Sequence, residues 1–213
     1  LIERGSIFRT LAARGQRGDF ANAYPVAYLR ALGIACQGEP EFTFPPRRRA
    51  RPSASTLAFG AGGGRFRTFA EARAGRGLTH DITGARASSV GVSLPHRPPE
   101  EAAEVLVELA RGSALTLFEF FESDEAGHAR EMERARFVLA RLDAFLRALV
   151  AILPAGWSLV VASDHGNVED LSIRNHTRNR VPVLGFGPAA ARVGGVADLT
   201  QVAPLLLGLA AEG

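Results

Sequence analysis

Three short apolar runs alternate with segments of helical spacing in the carboxyl-terminal half of the sequence, and this alternation restricts the fold more than any other feature. The runs cover residues 115–121, 157–162 and 181–186, and a long helical pattern spans about residues 126–151. Short runs with few polar residues are typical of strands buried on both faces of a sheet. The alternation predicts an α/β fold, in which a mostly parallel sheet carries helices on both faces.

The length and composition set the expected number of domains. A chain of 213 residues with 46% apolar residues is large enough for one core with a modest insert, and too apolar for disorder along its whole length. Residues 37–99 are rich in Pro, Arg, Gly and Ser, which predicts a small loop-rich cap or insert. We therefore expect residues 1–36 to form part of the α/β core, and residues 100–213 to form the part that carries the functional motifs.

The basic residues argue against one class of partner. The sequence has no Lys, so all 25 basic residues are Arg, and the formal net charge is +3. These arginines are scattered with few aromatic residues among them, a pattern that is untypical of a nucleic-acid-binding surface. One dense run, formed by Arg47, Arg48, Arg49 and Arg51, predicts a solvated loop, with an acidic partner as the alternative. No uninterrupted apolar stretch reaches the roughly 20 residues of a membrane span.

Two further features concern the compartment and the extent of the chain. Cys36 is the single cysteine, which excludes an internal disulfide and suits a reducing compartment, so we expect a cytoplasmic protein. The first residue is Leu1, and no signal-peptide pattern follows it. We expect that the sequence begins inside a longer protein, or that residues upstream were removed.

Chemically active side chains flank each of the three apolar runs. Asp124 and His128 follow the first run, Asp164 and His165 follow the second, and His176 precedes the third. Because ligands bind beyond the carboxyl ends of strands in parallel sheets, we expect these side chains to meet at one edge, with a loop carboxylate facing a first-turn imidazole. Carboxylates and imidazoles are ligands for Zn²⁺ and Mn²⁺, and five of them exceed the three protein ligands usual at one catalytic zinc. The pattern therefore predicts two divalent metal ions.

A structural interpretation of the same residue types stays open beside the metal interpretation. An Asp–His pair at a strand end is commonly a helix-capping acid beside a surface histidine. We expect His80 and His96, which lie in the irregular segment, to be structural or surface residues. Arg174, Arg178 and Arg180 are candidates for holding a phosphate or sulfate group, or else are solvated side chains. Of these, Arg178 is our candidate for substrate binding.

The motifs resemble those of a known family. The segment Asp164-His165-Gly166-Asn167 with Glu169, followed by His176-Thr177 and Val181-Pro182, resembles the carboxyl-terminal metal motifs of cofactor-independent phosphoglycerate mutases. Phosphopentomutases and the wider alkaline phosphatase superfamily are similar. The segment from Asp124 to His128 resembles their preceding Asp-x-x-x-His motif. The resemblance covers about residues 115–187 and implies an alkaline-phosphatase-like α/β core.

The resemblance also implies a role for each matching residue. Asp124, His128 and His176 would bind one divalent ion, while Asp164 and His165 would bind the second together with an amino-terminal Asp and a Ser or Thr nucleophile. The ions would be Mn²⁺ or Zn²⁺, with Mg²⁺ as a third candidate. Asn167 and Glu169 would support the ligand turn without touching the ions. The nucleophile has no counterpart in this chain, so the catalytic residue is expected in an amino-terminal part of the same protein.

The resulting expectation is a metal-dependent phosphoryl-transfer enzyme that acts on a phosphorylated small molecule, either as a phosphomutase or as a phosphohydrolase. The 37–99 segment is too short for the large cap of the phosphoglycerate mutases, so the resemblance does not select the mutase reaction. Two alternatives stay open: a non-catalytic metal-binding scaffold or sensor, and a sulfatase or phosphodiesterase of the same superfamily. The expected protein partner is the amino-terminal remainder of the same protein, and neither nucleic acid nor a membrane is expected.

Overall fold

The computed structural model describes residue 2 and residues 4–44 and 49–212. It confirms an α/β fold with small parallel sheets. The chain divides into two compact units, Leu1–Glu119 and Phe120–Gly213. Of the arginine run near position 48, Arg47 and Arg48 lie outside the described residues, as does Leu1. No helix in the described part of the chain is long and apolar enough to cross a membrane.

The first unit is built from short helices and two parallel strand pairs. Its elements in chain order are α1 (Ile7–Ala13), β1 (Gly18–Phe20), β2 (Ala23–Tyr24), α2 (Val26–Ala31), α3 (Ala54–Ala61), β3 (Arg67–Thr68), α4 (Phe69–Arg73), a 3₁₀ helix (Ala85–Val90), α5 (Pro99–Ala110) and β4 (Leu115–Leu117). Strand β1 pairs in parallel with β4, and β2 pairs in parallel with β3. These pairs confirm the parallel arrangement that the alternation predicts.

Local sequence signals explain where the helices of this unit begin and end. The Ser6 hydroxyl accepts a hydrogen bond from the Arg9 amide at the start of α1, and Gly15, two residues after its end, has φ of +71°. Helix α5 begins at Pro99 and carries Glu100 and Glu101 in its first turn, where acids interact favourably with the helix dipole. Both helices therefore begin at signals in the local sequence.

A cluster of mostly aromatic side chains forms one core of the first unit. It contains Phe8, Phe20, Leu29, Phe59 and Phe66, all buried. The ring of Phe59 lies 5.0 Å from that of Phe8, 5.5 Å from that of Phe20 and 5.1 Å from that of Phe66, measured between centroids. The 37–99 segment therefore supplies core side chains that pack against residues 8–29. The sequence-based division into core and cap stays a prediction, while the compact units divide after Glu119.

A buried ion pair joins β1 to β3 beside this core. Both Asp19 carboxylate oxygens accept hydrogen bonds from the Arg67 guanidinium at 2.6 Å, and Arg67 also donates to the Phe20 carbonyl at 2.6 Å and the Arg76 carbonyl at 2.8 Å. Burial by itself raises the pKa of the Asp19 carboxyl, but the hydrogen bonds and charge of Arg67 outweigh it and hold that pKa below its usual value. The pair is fully hydrogen-bonded, which offsets the cost of burying two charges.

Among its described residues, the second unit contains three α-helices, three short 3₁₀ helices and one strand pair. Its elements are α6 (Glu122–Ala129), α7 (Met132–Ile152), β5 (Leu159–Ala162), β6 (Val183–Phe186), three short 3₁₀ helices and α8 (Val202–Leu209). The sequence predicts one helix over residues 126–151, whereas the structure has two. The break lies at Arg130, which adopts φ of +58° and donates its amide to the carbonyls of Ala126 and Gly127, so that it closes α6.

Strands β5 and β6 differ from expectation in two respects. They pair antiparallel, with Val160 opposite Gly185, although a mostly parallel sheet is predicted. Residues 163–182 contain no helix, and without a crossover helix the chain folds back on itself and returns antiparallel. The strands are half-buried rather than buried on both faces, because β5 and β6 form a two-stranded sheet among the described residues.

Candidate metal centre

Helix α6 places Asp124 and His128 on one face. The two residues are one helical turn apart, and the Asp124 Oδ1 atom lies 3.4 Å from the His128 Nε2 atom. Sequence reasoning expected a loop carboxylate beside a first-turn imidazole. In the structure α6 begins at Glu122, so the carboxylate stands in the first turn and the imidazole in the last. The helix itself therefore sets the spacing of these two donor atoms.

His176 completes a triangle of donor atoms with this pair. Its Nε2 atom lies 3.3 Å from Asp124 Oδ1 and 3.2 Å from His128 Nε2. Donor atoms at about 2.1 Å from a tetrahedral ion are about 3.4 Å apart, so the three sides of this triangle fit three ligands of one ion with a fourth position open. One carboxylate and two imidazoles, with no thiolate, are a donor set for Zn²⁺ or Mn²⁺.

His165 and Asp164 lie beside this triangle. The His165 Nε2 atom is 4.0 Å from Asp124 Oδ1 and 3.5 Å from Asp164 Oδ2, and the His165 ring stacks on the His176 ring with centroids 3.6 Å apart. Donor atoms of Asp124, His165 and His176 all lie within 4.8 Å of one another. The Asp164 side chain is 87% exposed. The structure thus brings the five side chains together, and their assignment as metal ligands stays a prediction.

The imidazole nitrogens that point away from the donor triangle fit a metal site in different ways. His128 Nδ1 lies 2.7 Å from the Arg174 carbonyl oxygen, a contact that fixes the ring so that Nε2 faces Asp124. His165 Nδ1 is buried, and within the described part of the chain it has no hydrogen-bond partner. If His165 Nε2 binds an ion, Nδ1 carries the ring proton and needs a hydrogen-bond acceptor, such as a water molecule.

Asn167 and Glu169 form hydrogen bonds with the segments that carry the candidate ligands. Asn167 is 4% exposed, and its amide nitrogen donates to the Asp124 carboxylate Oδ1 and, at 3.3 Å, to the Asp124 carbonyl. Glu169 accepts from the Asn167 backbone amide at 2.5 Å, from Asn179 Nδ2 at 3.0 Å and from the Thr177 hydroxyl. The Thr177 hydrogen bond is the main cause that lowers the pKa of the Glu169 carboxyl below its usual value.

Two glycines allow the ligand segments to approach this closely. A Cβ atom on Gly127 would overlap the Asn167 side chain, and one on Gly166 would overlap the Thr177 hydroxyl and the Glu169 carboxylate. Gly166 also pairs with Thr177 in an antiparallel bridge, in which the Thr177 amide donates to the Gly166 carbonyl at 2.8 Å. Both glycines are therefore needed for close packing of the site.

Sequence reasoning did not assign roles to Gly127, Thr177 or the Arg174 carbonyl. The position of Gly127 next to His128, and of Thr177 next to His176, is the signal that could have found the first two. A backbone carbonyl leaves no signal in the sequence at all. Arg178 is exposed, and its expected contact with substrate stays a prediction. In the first unit His80 is half-buried and His96 is exposed.

Comparison with known proteins places the chain in context. The family model described as "Metalloenzyme superfamily" matches residues 57–210, which is more than half of the chain. A phosphopentomutase of Methylobacterium sp. (strain 4-46) is 38% identical over 91 residues, covering 40% of this chain and 22% of the relative. A 2,3-bisphosphoglycerate-independent phosphoglycerate mutase of Cereibacter sphaeroides (strain ATCC 17029 / ATH 2.4.9) is 35% identical over 127 residues, covering 54% of this chain and 24% of the relative. The aligned part thus spans about a quarter of the length of these relatives. No solved structure matches the chain significantly.

Proposed function

We propose, because the chain belongs to the metalloenzyme superfamily, that it carries the metal-binding part of a phosphoryl-transfer enzyme that is either a phosphomutase or a phosphohydrolase. The observation that carries this proposal is the triangle of Asp124 Oδ1, His128 Nε2 and His176 Nε2, with sides of 3.2 to 3.4 Å. If Asp124 were a capping acid and the histidines were surface residues, there would be no reason for three donor atoms from two distant segments to meet at this spacing. The triangle therefore favours the metal interpretation over the structural one.

The proposed site holds two divalent ions, with Mn²⁺ or Zn²⁺ as first candidates and Mg²⁺ as the third. Asp124, His128 and His176 would hold one ion, and Asp164 and His165 would contribute to the second. The two donor sets adjoin, since His165 Nε2 lies 4.0 Å from Asp124 Oδ1. Bound ions would supply positive charge to a transferring phosphoryl group and would lower the pKa of a hydroxyl group.

The remaining parts of the reaction are proposed from the relatives. Their names describe mutases of phosphorylated small molecules, and we propose a substrate of the same class here. The Ser or Thr nucleophile would come from an amino-terminal part of the same protein. The exposed Arg178 follows the His176 segment and is a candidate to contact a substrate phosphate. We propose a cytoplasmic protein on the basis of its single cysteine, Cys36.

Isothermal titration with Zn²⁺ and Mn²⁺ tests the proposed site directly. We expect the intact protein to bind two ions, and its His176→Ala variant should lose the ion held by Asp124, His128 and His176 while its circular dichroism spectrum stays unchanged. The matched control is His96→Ala, which removes an exposed histidine of the first unit and should leave both ions in place. A wild-type stoichiometry in the His176→Ala variant would refute the assignment.

The reaction class needs a separate experiment on the intact protein. Metal-loaded protein would be offered a phosphomonoester, a phosphodiester and a sulfate ester in parallel, and we expect release or transfer of phosphate from the monoester alone. Turnover of the diester or of the sulfate ester would instead select the phosphodiesterase or sulfatase alternative. Tight ion binding without turnover of any of the three esters would favour the scaffold or sensor.

A further inference from the structure

We propose that the Glu169 carboxylate is a positioning residue that joins the three ligand-bearing segments, so that the two ions bind cooperatively. This inference rests on the proposed function, because it requires that Asp124, His128, Asp164, His165 and His176 bind metal. It goes further in naming one side chain through which the two donor sets are coupled. The three segments are helix α6, the turn that carries Asp164 and His165, and the segment that carries His176.

The first link connects the Asp164–His165 turn with α6. Asn167 follows that turn and is almost completely buried, and its side-chain amide donates to the carboxylate and the carbonyl of Asp124. The backbone amide of the same Asn167 donates to Glu169 Oε2 at 2.5 Å. Glu169 therefore fixes the peptide whose side chain fixes the Asp124 carboxylate.

The second link connects Glu169 with the His176 segment. The other carboxylate oxygen, Oε1, accepts from the hydroxyl of Thr177, the residue next to His176, and from Asn179 Nδ2 at 3.0 Å. Thr177 in turn accepts the Asn179 backbone amide at 3.2 Å. Thr177, Glu169, Asn167 and Asp124 thus form one continuous chain of hydrogen bonds across all three segments.

The distribution of donors shows that Glu169 acts through its neighbours. Each of its oxygens already accepts at least one hydrogen bond from this chain, and its contacts are with ligand-bearing segments rather than with ligand side chains. An ion bound at one donor set orders the segments that this chain joins, so the second ion finds its ligands already oriented. Because Glu169 itself is exposed, water competes for these bonds, and we expect an effect at the lower end of the 10- to 100-fold range typical of such supporting residues.

The test is the Glu169→Gln variant, titrated with Zn²⁺ by calorimetry and with Co²⁺ by visible absorption, which reports the ligand geometry. Glutamine keeps the size of the side chain but replaces one acceptor oxygen by a donor, so either the Asn167 backbone amide or Asn179 Nδ2 loses its acceptor. We expect both dissociation constants to rise about tenfold, loss of cooperativity between the two ions, and a changed Co²⁺ spectrum. The matched control is Asp170→Asn, which removes the same charge at the next residue. In the described part of the chain, the Asp170 carboxylate accepts hydrogen bonds from Ser172 within its own turn.

A second pair of variants tests the same chain from its other end. Thr177→Val removes the hydroxyl at constant volume and should reproduce the Glu169→Gln effect, while Thr177→Ser, which keeps the hydroxyl, should restore wild-type affinity. Equal ion affinities in wild-type, Glu169→Gln and Thr177→Val proteins would overturn the coupling and leave the metal site standing. A wild-type chain that binds neither Zn²⁺ nor Co²⁺ would overturn the proposed function together with this inference.

Discussion

Replacing Phe59 by Ala tests whether the 37–99 segment is part of the core of the first unit. Phe59 is 2% exposed, and its ring contacts those of Phe8, Phe20 and Phe66 at centroid distances between 5.0 and 5.5 Å. A buried Phe→Ala change typically lowers the free energy of unfolding by about 3–5 kcal/mol, the sum of lost transfer free energy and a residual cavity. If residues 37–99 were a detached cap, the same substitution would lower the free energy of unfolding of the core far less.

The structure selects the upper part of that range. Gly64 packs directly against the Phe59 ring, so closely that a Cβ atom there would overlap it. A glycine has no side chain that could move into the cavity left by the missing ring, and each aromatic pair contributes about 0.5–1.5 kcal/mol beyond the buried area. We therefore expect a loss of about 4–5 kcal/mol in the unfolding free energy of the first unit.

Urea unfolding followed by circular dichroism measures this loss. The matched control is Phe137→Ala on α7, where the side chain is 69% exposed and the expected change is within about 0.5 kcal/mol. Hydrogen exchange of β1 and α1 amides would assign the destabilisation to the first unit. A decrease in unfolding free energy below about 1 kcal/mol for Phe59→Ala would refute the shared core and would favour a separate cap.

Two further predictions concern the buried ion pair and the metal site. The folded-state pKa of Asp19 lies below its ordinary value of 3.8, so its contribution to stability is complete above that value and is lost as the pH falls through the folded pKa. The stability difference between wild type and Asp19→Asn should therefore shrink between pH 5 and pH 2, and a constant difference in acid denaturation would contradict the pairing. Gly127→Ala should push the Asn167 amide away from Asp124 and raise the Zn²⁺ dissociation constant at least tenfold, whereas Gly194→Ala, at an open position without a positive φ, should leave it unchanged.

The elements that can be read from the sequence are those with a local physical signal. Helix α1 shows apolar residues at helical spacing between Ser6 and Gly15, and α5 begins with a proline and two acids. The Asp124–His128 spacing is a property of one helix, so its proximity could be read from the sequence even though the start of that helix was placed too late. Signals within four residues do not depend on how distant parts of the chain pack.

The elements that sequence reasoning missed depend on distant contacts. The break at Arg130 carries no glycine or proline signal, and an arginine in the left-handed region is uncommon. The sequence does not predict that β5 is half-buried. An apolar run shows that both faces of a strand can be covered, but it does not show which elements pack against them. The orientation of β6 depends on the path of residues 163–182, which have no periodicity.

The two arms of residues 163–182, between β5 and β6, carry three of the candidate ligands and differ in length. In the β5–β6 pair Ala162 lies opposite Val183, and further along the bridge Gly166 lies opposite Thr177. Three residues, 163–165, thus face five residues, 178–182, so two extra residues are accommodated on the returning side. The short side carries Asp164 and His165, and the long side carries the exposed Arg178. The Gly166–Thr177 bridge fixes His176, the neighbour of Thr177, beside the turn that carries Asp164 and His165, so this fold-back brings the candidate ligands together although its two arms differ in length.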